Sequence, residues 1–195
     1  MKRLGDRGVV LARGTYDIQA IATARSRLPG CVDFVVTENE VAFFFEEPTN
    51  LDESTLFAAF TGTAPSAIEA TRHTFRVRYD GADLEWVAAT LGVSRERVIE
   101  LHASAEYRVA FLGFMPGFAY LAGLPSELIL PRRATPRVRV PAMSVAVGGP
   151  YAGVYPFGSS GGWHLLGTLL APTLFDSELG PLLQHGDVLR FVEVP

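Results

Sequence analysis

Apolar and polar positions recur along this chain in two different styles, and the change between them divides it. Up to residue 80, short strands and helical stripes interleave. Gly8 to Ala12 is an apolar run of strand length. Ile18, Ile21, Ala22 and Leu28 recur at helical spacing behind a cap at Thr15 or Asp17, and Pro29-Gly30 ends that stripe. Val32 to Val36 and Val41 to Phe45 flank the polar Thr37-Glu38-Asn39-Glu40 and predict a hairpin. Thr49 or Asn50 opens a second helix carrying Leu51, Leu56, Phe57 and Phe60. From Thr71 to Tyr79 the period is two, with Phe75, Val77 and Tyr79 on one face and Arg76 and Arg78 on the other. The order βαββαβ predicts a ferredoxin-like split unit over residues 1–80, both helices on one face of its sheet.

Residues 81–195 read differently. Asp83 opens a helix striped by Leu84, Val87, Ala88 and Leu91, and Gly92 stands where a C-terminal glycine belongs. Ser94 caps a second helix with Val98, Ile99, Leu101 and His102. Beyond Ala105 the signal is all β: Tyr107 to Leu112, Val138 to Val140, Val145 to Val147, Trp163 to Leu169 and Val188 to Val194. Proline and glycine punctuate these runs as they do in small barrels. The expected class is α+β, with the boundary near Asp80-Gly81-Ala82.

Composition narrows the function classes. Of 195 residues, 48% are hydrophobic and 19% charged, which supports a substantial core and argues against disorder. A net charge of −4 argues against a general nucleic-acid binder. Cys31 is the lone cysteine, so neither an internal disulfide nor a cysteine zinc site is possible. The opening M-K-R-L-G-D-R-G lacks an apolar signal core, and no apolar run reaches membrane-spanning length. The expected location is the cytoplasm, with no membrane partner.

Candidate chemistry concentrates between Phe111 and Thr168. F-L-G-F-M-P-G-F-A-Y-L, P-R-R-A-T-P-R-V-R-V-P and Y-P-F-G-S-S-G-G-W-H-L-L-G-T crowd aromatics, glycines, prolines and four arginines together. Glycine admits close backbone approach, and arginine offers a planar fork matched to carboxylate or phosphate. There is no phosphate loop, dinucleotide fingerprint or H-E-x-x-H motif. Gly158-Ser159-Ser160-Gly161-Gly162 matches the nucleophile-elbow spacing, but a strand follows it where a helix is required, so a tight glycine turn is the better reading. Histidines at 73, 102, 164 and 185 form no close pair, so no metal site is expected. His164 alternates with Trp163 and reads as solvent-facing; His185 reads as structural, beside a Gly-Asp turn.

These same residues, L-H-A-S-A-E-Y-R-V-A-F-L-G-F-M-P-G-F-A-Y-L through Y-P-F-G-S-S-G-G-W-H-L-L-G, resemble the B-subunit family of 5-oxoprolinase, also known as allophanate hydrolase subunit 1 and including the kinase inhibitor KipI. The likeness is strong over residues 71–194 and weak before them. It implies an N-terminal α/β domain and a C-terminal cyclophilin-like barrel. It also implies the 5-oxoprolinase C and A subunits as partners and an ATP-dependent opening of 5-oxoproline to glutamate, the isolated chain being inactive. Met143 stands where the family has glycine, Ser160 where it has proline, and Thr168 where arginine is common.

On this reading Arg132 and Arg137, with Arg133, hold an anionic group of the small-molecule substrate. Gly161 and Gly162 bring backbone N–H groups close to it. Phe114, Phe118, Tyr120, Tyr155 and Trp163 wall the pocket, and His102 is the proton carrier. The rival reading is a non-catalytic inhibitor that docks on a histidine kinase; a third is an allophanate- or urea-processing component.

Overall fold

Strand alternation sends Val9 and Leu11, and Val41, Phe43 and Phe45, to one face of a sheet, where all five are buried. The computed structural model describes residues 1–14, 16, 18–62 and 70–195, without the Gln19 side chain. They fall into two units, Met1–Glu69 and Ala70–Pro195. The first contains β1 (Lys2–Arg3), β2 (Gly8–Ala12), α1 (Ile18–Arg27), β3 (Cys31–Val36), β4 (Glu40–Phe45) and α2 (Glu53–Ala59). Its antiparallel sheet runs β1-β2-β4-β3. Ile21 and Ala24 of α1, Leu28 just beyond it and Leu56 of α2 join the buried strand residues in one core. The caps expected at Thr15 or Asp17 lie outside the described residues. For α2, the cap is Asp52 rather than Thr49 or Asn50: its carboxylate accepts the Thr55 N–H at 2.7 Å.

The second unit comprises β5 (Arg72–Arg78), α3 (Leu84–Leu91), α4 (Arg95–Ser104), β6 (Tyr107–Leu112), β7 (Ala119–Ala122), β8 (Arg137–Val140), β9 (Ser144–Gly148) and β10 (Tyr151–Val154). It continues with β11 (Ser159–Gly161), β12 (His164–Ala171), β13 (Phe175–Asp176), β14 (Gly180–Pro181) and β15 (Val188–Glu193). Seven strands close a barrel in the order β10-β7-β6-β15-β5-β12-β9, sealed by β9 on β10. Only the β15–β5 pair of that barrel is parallel. Gly92 ends α3 in the left-handed region at φ 68, and the Ser94 hydroxyl caps α4, both as the sequence predicts. No described helix is long and apolar enough to cross a membrane.

One expectation is corrected. The strand over residues 71–79 forms, but it belongs to the barrel, between β12 and β15. Phe75, Val77 and Tyr79 pack with Val109, Leu166 and Phe191 in the barrel core. The first unit therefore ends at Glu69 rather than residue 80, and the two-residue β1 takes the edge beside β2. Short β7 and β10, which the pattern leaves as loops, complete the closure.

Candidate functional site

Outside the closed barrel, β8 and β11 pair as a separate two-stranded sheet. The stretch read as a glycine turn is thus itself a short strand, pairing Ser159 with Val140 and Gly161 with Arg137. A backbone hydrogen bond from Arg133 N–H to the Gly162 carbonyl, 2.8 Å, ties the arginine loop to it. Between these segments lies a cavity of about 170 Å³ lined by Phe114, Phe118, Tyr120, Arg132, Arg133, Pro136, Tyr155, Gly161, Gly162 and Trp163.

The aromatic walls hold one another edge to face. Phe118 meets Trp163 at 5.4 Å and 80°, and Tyr155 at 5.3 Å and 73°. All three are at least 96% buried, so the back wall is rigid (exposures 1%, 1% and 4%). Burial, first of all, pushes the Tyr155 hydroxyl pKa up, so it is neutral at physiological pH. Phe114 is 59% exposed at the mouth, with φ at +72. A bulky residue rarely adopts that conformation, and such strain collects at binding sites. Gly161 has no room for a side chain, because an added Cβ would strike the Tyr155 hydroxyl.

The arginines divide into two roles. Arg132 sits over the Trp163 ring, 5.7 Å from its centroid, with no ion pair among the described residues. Arg133 and Arg137 instead converge on Asp83: Nη1 of Arg133 donates to Oδ1 at 3.2 Å, and Nη2 of Arg137 at 2.6 Å. The other Asp83 oxygen accepts the Leu165 N–H at 2.7 Å. Asp83 is 3% exposed. Burial pushes its pKa up, but the Arg137 and Leu165 hydrogen bonds and both guanidinium charges outweigh burial and hold it below the usual carboxylate range. Nε of Arg133 and Nη1 of Arg137 are buried with no hydrogen-bond partner among the described residues.

Nine of the expected residues therefore line the cavity, and two expectations fail. Arg137 is not in the lining; it is a strut on Asp83, a residue read from sequence only as a helix start. The Asp83 side chain makes no cap hydrogen bond at all. His102 is fully buried in the core, stacked on Phe191 at 4.6 Å, with Nδ1 2.8 Å from the Tyr79 hydroxyl. Burial lowers its pKa to about 3, so it is neutral, and it is not among the residues that line the cavity. It is a core residue, not a proton carrier. His164, read as solvent-facing, is 2% exposed. Among the described residues no cluster of histidine, cysteine and carboxylates suits a metal ion.

The cavity beside the closed barrel thus combines aromatic faces with two arginines, and tyrosine and arginine are the titratable groups of its lining. The chain matches the carboxyltransferase domain, subdomain C and D, over residues 3–182, and belongs to that family. It is 54% identical over 114 residues to the 5-oxoprolinase B subunit of Escherichia coli O157:H7, covering 57% of this chain and 52% of that protein. The crystal structure of TTHA0988 superposes with a TM-score of 0.81 at 39% identity, over 97% of this chain and 40% of that one. Urea carboxylase of Kluyveromyces lactis shares the fold alone, with a TM-score of 0.73 at 16% identity over 100% of this chain and 21% of that one. This chain spans about half the length of the 5-oxoprolinase relatives it matches.

Proposed function

We propose that this chain works as the B subunit of an ATP-dependent 5-oxoprolinase, with the A and C subunits, and that its cavity takes the carboxylate-bearing substrate. Relatives carrying that name support the reading. The observation that carries it is the pairing of a closed aromatic wall with Arg132 at the rim. About 170 Å³ is well under the roughly 300–1,000 Å³ of drug-sized ligand sites, so the occupant is a compact metabolite. Aromatic faces enclose an apolar ring, and one arginine forks onto its carboxylate. ATP binds outside this cavity, which is too small for it. The lining holds no carboxylate or histidine, so the other subunits supply the proton transfers.

The test is reconstitution with the A and C subunits and an assay of ATP-dependent glutamate release. Arg132→Ala should raise the 5-oxoproline KM by roughly ten- to a hundredfold, the scale of a lost hydrogen bond to a charged group, while leaving the thermal midpoint within a degree or so. Unchanged kinetics in Arg132→Ala would remove the cavity from the reaction. Binding to a histidine kinase without any turnover in the full mixture would favour the inhibitor reading.

A further inference from the structure

On the other side of the Arg132–Arg133 segment lies a second, larger cavity of about 510 Å³. Its floor is a stacked pair from two elements: Trp86 of α3 lies flat on His164 of β12, with centroids 4.6 Å apart and planes 11° off parallel. His164 is a fixed base for that stack. Its Nε2 stands 2.9 Å from the Pro131 carbonyl, which only accepts, so Nε2 carries the proton and the ring orientation is set. Nδ1 is buried with no hydrogen-bond partner among the described residues. Trp86 itself is 50% exposed. A large aromatic resting on another ring with half its surface open is a prepared stacking platform. Nothing in the packing of α3 requires it, because the buried stripe of that helix is Leu84, Val87 and Ala88.

The remaining lining fixes the ligand class. Thr90 and Thr135 offer hydroxyls, Arg132 and Arg133 form the wall shared with the smaller cavity, and no carboxylate lines the groove. Arg133 is held by Asp83, whereas Arg132 is exposed and lines both cavities. An anionic end is therefore favoured at the shared wall and a flat ring on Trp86. The volume falls within the roughly 300–1,000 Å³ of sites that enclose a ligand of drug size, far more than a small aromatic acid needs. We infer that this groove binds a nucleoside phosphate, base on Trp86 and phosphates toward Arg132. The inference stands on the groove alone and does not rest on the 5-oxoprolinase reading.

The test titrates ADP into the 195-residue chain without 5-oxoproline, by calorimetry and tryptophan fluorescence. Saturable binding with quenching of Trp86 is expected. Trp86→Ala should weaken it roughly tenfold or more, the scale of losing one base–aromatic stack. Thr90→Glu, an exposed change that sets a carboxylate in the groove, should weaken it comparably without touching the platform. Adenosine should bind at least about tenfold more weakly than ADP, as expected when charge-assisted bonds to phosphate are lost. Trp86→Phe should restore part of the affinity lost in Trp86→Ala. ADP binding that is undiminished in both Trp86→Ala and Thr90→Glu overturns the assignment, as does no saturable binding to the unmodified chain. Because 5-oxoproline is absent, failure here leaves the smaller cavity's assignment standing, and failure of the Arg132 kinetics leaves this one standing.

Discussion

Replacing Asp83 with asparagine tests whether the arginine loop is held by charge. The carboxylate is 3% exposed and accepts from Arg133, Arg137 and the Leu165 N–H. Asparagine is nearly isosteric and keeps one carbonyl oxygen for Leu165, but it removes the carboxylate charge that pairs with both guanidinium groups. Breaking a buried pair by removing one partner costs about 3–5 kcal/mol, because the survivor is left charged and desolvated. Here the survivors, 35% and 22% exposed, still reach some water, which places the cost near the lower end, about 3 kcal/mol. For a unit between the sizes of about 100 and 150 residues, that is a fall of roughly 10 °C in the thermal midpoint. The pH dependence gives an independent check. The folded-state pKa of Asp83 is lowered, so its stabilisation is present above the unfolded value of about 3.9 and is lost as pH falls through the lower folded value. The gap between the native chain and Asp83→Asn should therefore be widest near neutrality and close in strong acid. Differential scanning calorimetry from pH 7 down to pH 3 reads both effects. Arg137→Gln should cost less in the Asp83→Asn background than alone, since the bond it removes is already gone. A midpoint shift of less than about 3 °C at pH 7, or additive losses in the double variant, would refute the strut.

Two further outcomes follow from burial and close contact. His102 has its folded pKa depressed to about 3 against roughly 6.5 unfolded, so stability should be full above pH 6.5 and fall by up to about 1.4 kcal/mol per unit below it. Denaturant melts between pH 6.5 and 4 should show a flatter profile for His102→Gln, and any lost activity should track lost stability rather than a shifted kinetic pKa. Gly161→Val should damage the cavity because its Cβ would strike the Tyr155 hydroxyl, whereas at Gly162 the nearest atom to an added Cβ is the Arg133 carbonyl oxygen at 3.6 Å. Gly162→Ala should therefore keep substrate affinity while Gly161→Val loses it in equilibrium binding; equal effects at the two positions would contradict this geometry.

What the sequence discloses and what it hides follow from the range of each signal. Period two over residues 71–79 identifies a strand and its buried face, Phe75, Val77 and Tyr79, correctly. It says nothing of which strand lies alongside, and the partners, β12 and β15, come from the far end of the chain. Met143 sits at φ +64, where a glycine would be free of the side-chain penalty. Met143 keeps the place by packing against the barrel core.

The site shows the same division at finer grain. Its aromatics and glycines are legible because they crowd together in sequence and one cavity gathers them. Arg132 and Arg137 are not separable by sequence, because both follow the same loop logic and the carboxylate that claims Arg137 lies 54 residues away. For His102 the local signal is present: with Val98 and Leu101 it falls at i, i+3 and i+4, the buried stripe of α4. His164 is the opposite case. Neighbours in a strand point to opposite faces, so Trp163 buried implies His164 exposed only if one face of the sheet meets water. In the structure Trp163 is a bend just ahead of β12 and lines the aromatic cavity, while α3 lays Trp86 over His164, the first residue of the strand, and both Trp163 and His164 are buried. A strand covered on both faces cannot announce it by alternation. That second covering creates the ring stack that lines the larger groove.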